Sequence, residues 1–324
     1  MASRSPATGP LFVSSGDPAA DRRYQSALGL AARGDLAGAV EVLVQAVELA
    51  PAFATAWFAL AAMREQLGDR AGAVAAFEQA CAADADDYHG ARLHLARLGA
   101  AAALPEMTAL YVRRLFDHHA PSFDRTLVER LGYRGPALLR DAVGRACESA
   151  ARPMRFDAML DLGCGTGLAG AAFRPHVAHL TGVDLSPGMI DAARRKQHYD
   201  RLETAELNAF LSAQAAAGAC YDLVIAADVF AYMADFSGAC GRIGQVLAPD
   251  GLFGFTVETH AGAGVILGET LRYAHAPAHV DEVLAAAGFA VLAADPQPIR
   301  TEKGVPVPSL VVVVGHNEPL AFSR

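Results

Sequence analysis

From Tyr24 the apolar positions fall at the three- and four-residue spacing of amphipathic helices, and this texture continues to about Leu98. Within it, GDLAGAVEVLVQAVELAP starting at Gly34 matches GDRAGAVAAFEQACAADA starting at Gly68, a repeat of 34 residues. Ala39 and Val40 align with Ala73 and Val74, Leu43 with Phe77, and Ala46 with Ala80. A further helix over 87–98 is out of phase and is expected to cap the stack. Residues 1–19, rich in Ser, Pro, Gly and Ala without a period, are expected to form a disordered tail. GAAAALPE, at 99–106, reads as a linker ending in a proline that no preceding helix can hold. Beyond it, helical runs at 107–116 and 127–150 precede seven short apolar runs, at 158–162, 179–185, 201–207, 221–229, 251–258, 289–294 and 309–315, with helical segments between them. Strand alternating with helix predicts an α/β domain with a doubly wound sheet. The expected organisation is a tail (1–19), a helical-repeat domain (20–104) and an α/β domain (105–324).

A 34-residue helix-pair period is that of the tetratricopeptide repeat, in which each pair buries its apolar face on the next. The segment resembles such an array: Trp57 and Leu60 stand where the family has Trp and Leu, and Pro51 closes the first repeat, although Arg64 replaces a usual Tyr. The resemblance implies a shallow concave surface for a peptide partner or for self-association.

Composition removes several classes of function. The 53% apolar content is largely alanine, and no stretch approaches the roughly 18 uninterrupted apolar residues that span a bilayer. MASRSPATGP is followed only by LFV, which is short of a signal peptide, so the chain is expected to stay in the compartment where it is made, and no membrane partner is expected. Twenty-seven basic against 35 acidic residues give a net charge of −8, the opposite of a nucleic-acid footprint. Lysine occurs only at Lys196 and Lys303, a composition bias without functional content. Five cysteines without a CxxC pair signal neither a zinc site nor a disulfide framework, and a reducing cytoplasm is the expected location.

The chemistry is concentrated in DLGCGTG, residues 161–167, at the end of the first predicted strand. Gly163, Gly165 and Gly167 let backbone approach a ligand, and the following helix points free N–H groups into the crevice at the strands' carboxyl ends. The second strand ends at Asp184, suited to accept hydrogen bonds from ribose hydroxyls. Gly165, Gly167 and Gly170 also spell the GxGxxG of dinucleotide sites, which would make the protein an NAD(P)-linked reductase. Asp161 speaks against that, because a carboxylate there repels a pyrophosphate and holds a cationic amino acid end, such as that of S-adenosylmethionine.

DLGCGTG, then VDLSPGMI, Glu206 and YDLVIAADVFAY, resemble the ordered motifs of class I S-adenosylmethionine-dependent methyltransferases, which have a seven-stranded Rossmann-like sheet. LYVRRLFDHHAPSFD, LGYRGPALL, RYAH and IRTEKGVPVPSLVVVV extend the likeness to bacterial predicted methyltransferases carrying tetratricopeptide repeats, over about residues 24–314. The resemblance implies that Asp161, Gly163, Cys164, Gly165 and Gly167 line the cofactor's methionine end and that Asp184 takes the ribose. Leu185 and Met189 would flank the adenine, Glu206 and Leu207 would lie near it, and Asp228 would sit beneath the sulfonium. FDHHAPSFD would be a lid, although His118 and His119 stand where relatives often carry Tyr.

Methyl transfer is an in-line displacement that needs a base only for acceptors that must lose a proton. His275 is the first candidate, followed by Tyr273 and Asp228, with His260, Tyr232 and Glu258 behind them. His275 and His279 are four apart, but Pro277 lies between them and no third ligand completes a metal set. The expected activity is methylation of an O or N nucleophile on a small molecule or a protein, the repeats aiding substrate or partner binding. The competing expectation is a scaffold whose second domain senses cofactor without turnover.

Overall fold

The computed structural model describes residues 12–102 and 107–317, which form two compact units parting between residues 104 and 105. Residues 1–11 of the expected tail and 103–106 of the expected linker lie outside the described residues.

The first unit is all helical: α1 (Pro18–Ala32), α2 (Leu36–Leu49), α3 (Ala54–Gln66), α4 (Arg70–Ala83) and α5 (Ala91–Arg97). The 34-residue period recurs in its stereochemistry. Gly34 and Gly68 both take positive φ, and the next residues, Asp35 and Asp69, cap α2 and α4 by accepting the Gly38 and Gly72 N–H groups, each at 2.9 Å. Leu43 and Phe77, Ala39 and Ala73, and Ala46 and Ala80 are all buried in one core. The expected tail is corrected at its end: α1 begins at Pro18, capped by Asp17, and residues 12–17 are docked. Phe12 stacks on Tyr24 with ring centres 5.4 Å apart, and the Val13 N–H reaches Thr55 Oγ1 at 3.2 Å. An aromatic residue and a Ser-Ser-Gly-Asp turn outweigh the absence of a period.

The second unit opens with α6 (Ala109–His119) and α7 (Gly135–Ser149), followed by β1 (Phe156–Leu162), α8 (Leu168–Phe173), β2 (Val177–Asp184), α9 (Pro187–Lys196), β3 (Arg201–Thr204), α10 (Leu207–Ala216), β4 (Tyr221–Ala226), α11 (Ser237–Val246) and β5 (Leu247–Glu258). Two short hairpin strands, β6 (Val265–Leu267) and β7 (Tyr273–His275), then α12 (Pro277–Ala286), β8 (Phe289–Pro296), a second small hairpin of β9 (Thr301–Glu302) and β10 (Val305–Pro306), and β11 (Ser309–His316) complete it. The seven-stranded sheet runs β3-β2-β1-β4-β5-β11-β8, with β11 antiparallel to both neighbours. Period-two alternation divides its side chains between two layers. Leu160, Val224 and Val312 face a core with α10, α11 and α12, whereas Met159, Leu223, Ile225 and Val311 face one with α7 and α8.

The helical run expected at 127–150 is interrupted. Arg125–Arg130 winds as a π-helical turn, Gly132 takes φ +60, and α7 starts only at Gly135. Pro136 lacks an N–H and its ring excludes helix on its amino-terminal side, while the Arg134 N–H goes to the Ile299 carbonyl at 2.7 Å. The third strand also stops earlier than its apolar run suggests, because Glu206 caps α10.

Candidate active site

Parallel strands β1, β2 and β4 deliver their carboxyl ends to one crevice, and the loops leaving them line a cavity of about 380 Å³. Asp161, Gly163, Cys164 and Gly165 after β1, Asp184 and Leu185 after β2, Glu206 and Leu207 after β3, and Asp228 after β4 all line it. Gly163 takes φ +63, and a Cβ there would lie 2.7 Å from Val229, so only glycine fits between the two loops.

Asp161 is buried, and its two oxygens differ. Oδ2 accepts the Tyr199 hydroxyl at 2.6 Å, whereas Oδ1 has no hydrogen-bond partner among the described residues. Burial raises its carboxyl to about 7, the Tyr199 bond opposing. Asp184 accepts the Gly165 N–H at 2.9 Å and the Ser186 N–H at 2.8 Å, which fixes the glycine loop to β2; burial raises this carboxyl to about 6. Glu206 spends both oxygens on the Asn208 and Ala209 N–H groups at 2.8 and 2.7 Å, so it is first a helix cap.

Residues 107–131 roof the cavity with Met107, Val112, Phe116, Phe123, Leu127 and Leu131. Two aspartates fasten this roof to the loops. Asp117 accepts the Ser186 hydroxyl at 2.5 Å and the Gly188 N–H at 3.1 Å, and Asp124 accepts the Thr166 hydroxyl and pairs with Lys196 at 2.5 Å. His118 and His119 are not among the lining residues.

On the other side of Asp228 lies a network of charges. Arg272 donates to Asp228, Glu258 and the Tyr232 hydroxyl, and its guanidinium lies over the Tyr232 ring at 4.9 Å. Arg300 donates to the same Glu258 oxygen at 2.5 Å. Asp228 is held at φ +65, unusual for a residue with a side chain, with its N–H on Thr256 Oγ1 at 2.8 Å. Burial raises its carboxyl, and Arg272 and Arg300 oppose that rise.

Six candidate residues, His275, Tyr273, Met189, Gly167, His260 and Glu258, do not line the cavity. His275 is fully buried on β7 with Nε2 3.3 Å from the Phe230 carbonyl, its ring packed against Phe236 and His279. Burial lowers it to about 4, so it is a neutral core histidine. Tyr273, on the same short strand, is also buried. Met189 is in the core, because the α9 turn that begins at Ser186 points it inward. Gly167 serves packing: at φ +88 it starts α8, and a Cβ would lie 3.0 Å from Tyr199. His260 is exposed and bonded to Gly264.

Asp117, Asp124, Tyr133 and Arg300 lie inside segments that carried the resemblance but were given no role there, and Tyr199 lies outside all of them. The signal for Tyr199 was indirect: Gly170 sits inside a helix and Gly182 inside a strand, and the Tyr199 ring fills the space that both leave, a Cβ on Gly182 falling 2.7 Å from it.

A family model described as a methyltransferase domain matches residues 160–253, from β1 to β5. Demethylmenaquinone methyltransferase of Thermus thermophilus is 30% identical over 209 residues, covering 55% of this chain and 92% of that protein. The chain belongs to the class I S-adenosylmethionine-dependent methyltransferases. Methyltransferase-like protein 27 of Homo sapiens is 35% identical over 35% of the chain and 44% of that protein. Malonyl-[acyl-carrier protein] O-methyltransferase of Acetivibrio thermocellus is 34% identical over 32% of the chain and 36% of that protein, so the chain spans less than half the length of these last two. Among solved structures, magnesium protoporphyrin IX methyltransferase from Synechocystis PCC 6803 with bound SAM matches 66% of the chain and 98% of its own, at 16% identity and a TM-score of 0.48. The methyltransferase unit fits the family's cofactor on its own geometry, since Asp161, whose buried Oδ1 has no partner among the described residues, lines one cavity together with Gly163 and Gly165.

Proposed function

We propose that this methyltransferase transfers a methyl group to an oxygen or nitrogen nucleophile of a molecule small enough to enter the roofed cavity beside the cofactor. The observation that carries the reading is the unpaired Asp161 Oδ1, a buried carboxylate oxygen that calls for a cationic donor such as an α-ammonium group. Asp161 would hold that ammonium, the Gly163 and Gly165 backbone would pass close to the amino acid end, and Asp184 would accept from the ribose while keeping its bonds to Gly165 and Ser186. Leu185 and Leu207 would flank the adenine. When bound, S-adenosylmethionine supplies an electrophilic methyl group on a sulfonium. The chain's own residues orient the acceptor and exclude water, the roof through Phe116 and Phe123 and the far wall through Tyr232 and Arg272. Asp228, clamped by Arg272 in a strained backbone, contributes fixed negative charge near the reacting centre.

The first unit is read as a tetratricopeptide-like module that binds a partner or a second copy of the chain. Support comes from the two capped helix pairs 34 residues apart. Calorimetric titration of the purified chain with S-adenosylmethionine and S-adenosylhomocysteine, followed by transfer of labelled methyl to fractionated lysate, tests the proposal. Binding of both and label in a small-molecule fraction are expected. Absence of cofactor binding, or label confined to protein, refutes it.

A further inference from the structure

Two features of the cavity's far end bear on what the acceptor is. The first is that, apart from the cofactor end, Glu302 is the one lining carboxylate among the described residues with no hydrogen bond to an arginine. Among the described residues no histidine lines the cavity, and Asp228 and Glu258 are committed to arginines. Burial raises the Tyr232 hydroxyl and keeps it protonated although Arg272 donates to it, so it is not a ready base. Asp161, Asp184 and Glu206 belong to the cofactor end. An acceptor that must lose a proton has only Glu302 to receive it, whereas one that arrives ionised needs no base and can take the place of Glu302 on Arg300.

The second is Arg300, which lines the cavity with its side chain 5% exposed. Arg272 spreads three hydrogen bonds over Asp228, Glu258 and Tyr232, but the Arg300 guanidinium makes a single one among the described residues, to Glu258. Its Nη1 faces Glu302 at 3.7 Å, beyond hydrogen-bond distance, and the Glu302 side chain is 35% exposed on the β9–β10 hairpin. The backbone around Arg300 is fixed: Ile299 accepts from Arg134 and the Thr301 N–H donates to Leu131, both at 2.7 Å, and the Arg300 carbonyl accepts from Val307 at 3.0 Å. A buried, positioned guanidinium with unused N–H groups beside a loosely held, exposed carboxylate is arranged for exchange of one anion for another. The same cavity is lined by apolar Val112, Phe116, Leu127 and Leu131.

Resting on the methyltransferase reading above, we infer that the acceptor is a small, largely apolar carboxylic acid whose carboxylate displaces Glu302 on Arg300 and is methylated on oxygen. A carboxylate oxygen lone pair forms the new O–CH3 bond as the S–CH3 bond breaks with its electron pair left on sulfur, and no proton moves. The product ester is neutral, so Arg300 releases it and Glu302 returns.

The test is calorimetric titration of the full chain saturated with S-adenosylhomocysteine, using octanoate, its neutral isostere octanamide, and octylammonium as probes. Octanoate should bind at least tenfold more tightly than the other two. Arg300→Gln should erase that preference, Arg300→Lys should keep part of it, and Glu302→Gln, at a partly exposed hairpin position, should tighten octanoate severalfold. Equal or tighter binding of octanamide or octylammonium overturns the inference, as does failure of octanoate to bind or a Glu302→Gln chain with unchanged or weaker octanoate affinity. If Arg300→Gln does not fold, the wild-type preference and Glu302→Gln decide. Failure of the first step, binding of S-adenosylhomocysteine, counts against the cofactor reading and is read separately.

Discussion

Asp161 makes cofactor binding sensitive to pH in a calculable way. Burial raises its carboxyl to about 7, so in the ligand-free protein it is largely protonated at pH 5.5 and largely ionised at pH 8. An ammonium group on Oδ1 favours the ionised form, and binding below pH 7 therefore requires loss of that proton. With a free-state value of about 7, roughly 3% of the carboxyl is ionised at pH 5.5 and about 90% at pH 8, an affinity difference of about 30-fold, or about 2 kcal/mol. Asp184, raised to about 6, contributes about a further fourfold over the same range. Calorimetry with S-adenosylhomocysteine in buffers of different ionisation enthalpy measures both the affinity and the protons released, expected near pH 6 to be about 0.9 from Asp161 and about 0.5 from Asp184. Asp161→Asn should weaken binding at pH 8 and remove most of the pH dependence. The ligand-free chain should show the opposite trend in stability. Its folded state holds a proton that an unfolded aspartate, with a value of about 3.9, has already lost, so stability falls as pH rises from about 4 to 7 and then levels. An affinity that is the same at pH 5.5 and pH 8, with no proton release, would falsify the role given to Asp161.

Three further outcomes follow from the packing. Gly163→Ala places a methyl group 2.7 Å from Val229 at φ +63, so it should lower the melting temperature by several degrees and weaken S-adenosylhomocysteine binding, both readable by thermal shift with and without ligand. His275→Ala should lose stability, about 2–4 kcal/mol from the cavity and the lost carbonyl contact, while cofactor affinity stays within twofold; a large affinity loss with an unchanged melting temperature contradicts the core assignment. Asp117→Ala frees the Ser186 hydroxyl and the Gly188 N–H, so amide exchange in α6 should accelerate relative to α7, and equal rates in variant and wild type refute its fastening role.

The sequence alone determined what is local. A glycine-rich turn between an apolar run and a helix, and an aspartate at the end of the next strand, are set by backbone conformations few residues can adopt and by chemistry that depends on short separations. Asp161, Gly163, Asp184 and Asp228 were therefore legible, as were all seven strands and the 34-residue helix pairs. What the tertiary structure decided is which side of each element faces the cavity. A strand of three residues such as β7 carries too little pattern to orient itself, so His275 and Tyr273 read as chemistry and are packed as core. Arg300 comes from the opposite case. It is far from the glycine loop in sequence, and only the antiparallel return of β11 and the backbone bonds to Leu131 and Arg134 bring it beside Glu258. Long-range pairing between loops leaves no periodic trace, because each partner satisfies its own segment's rules and their meeting is fixed by how the sheet and its roof close around the cavity.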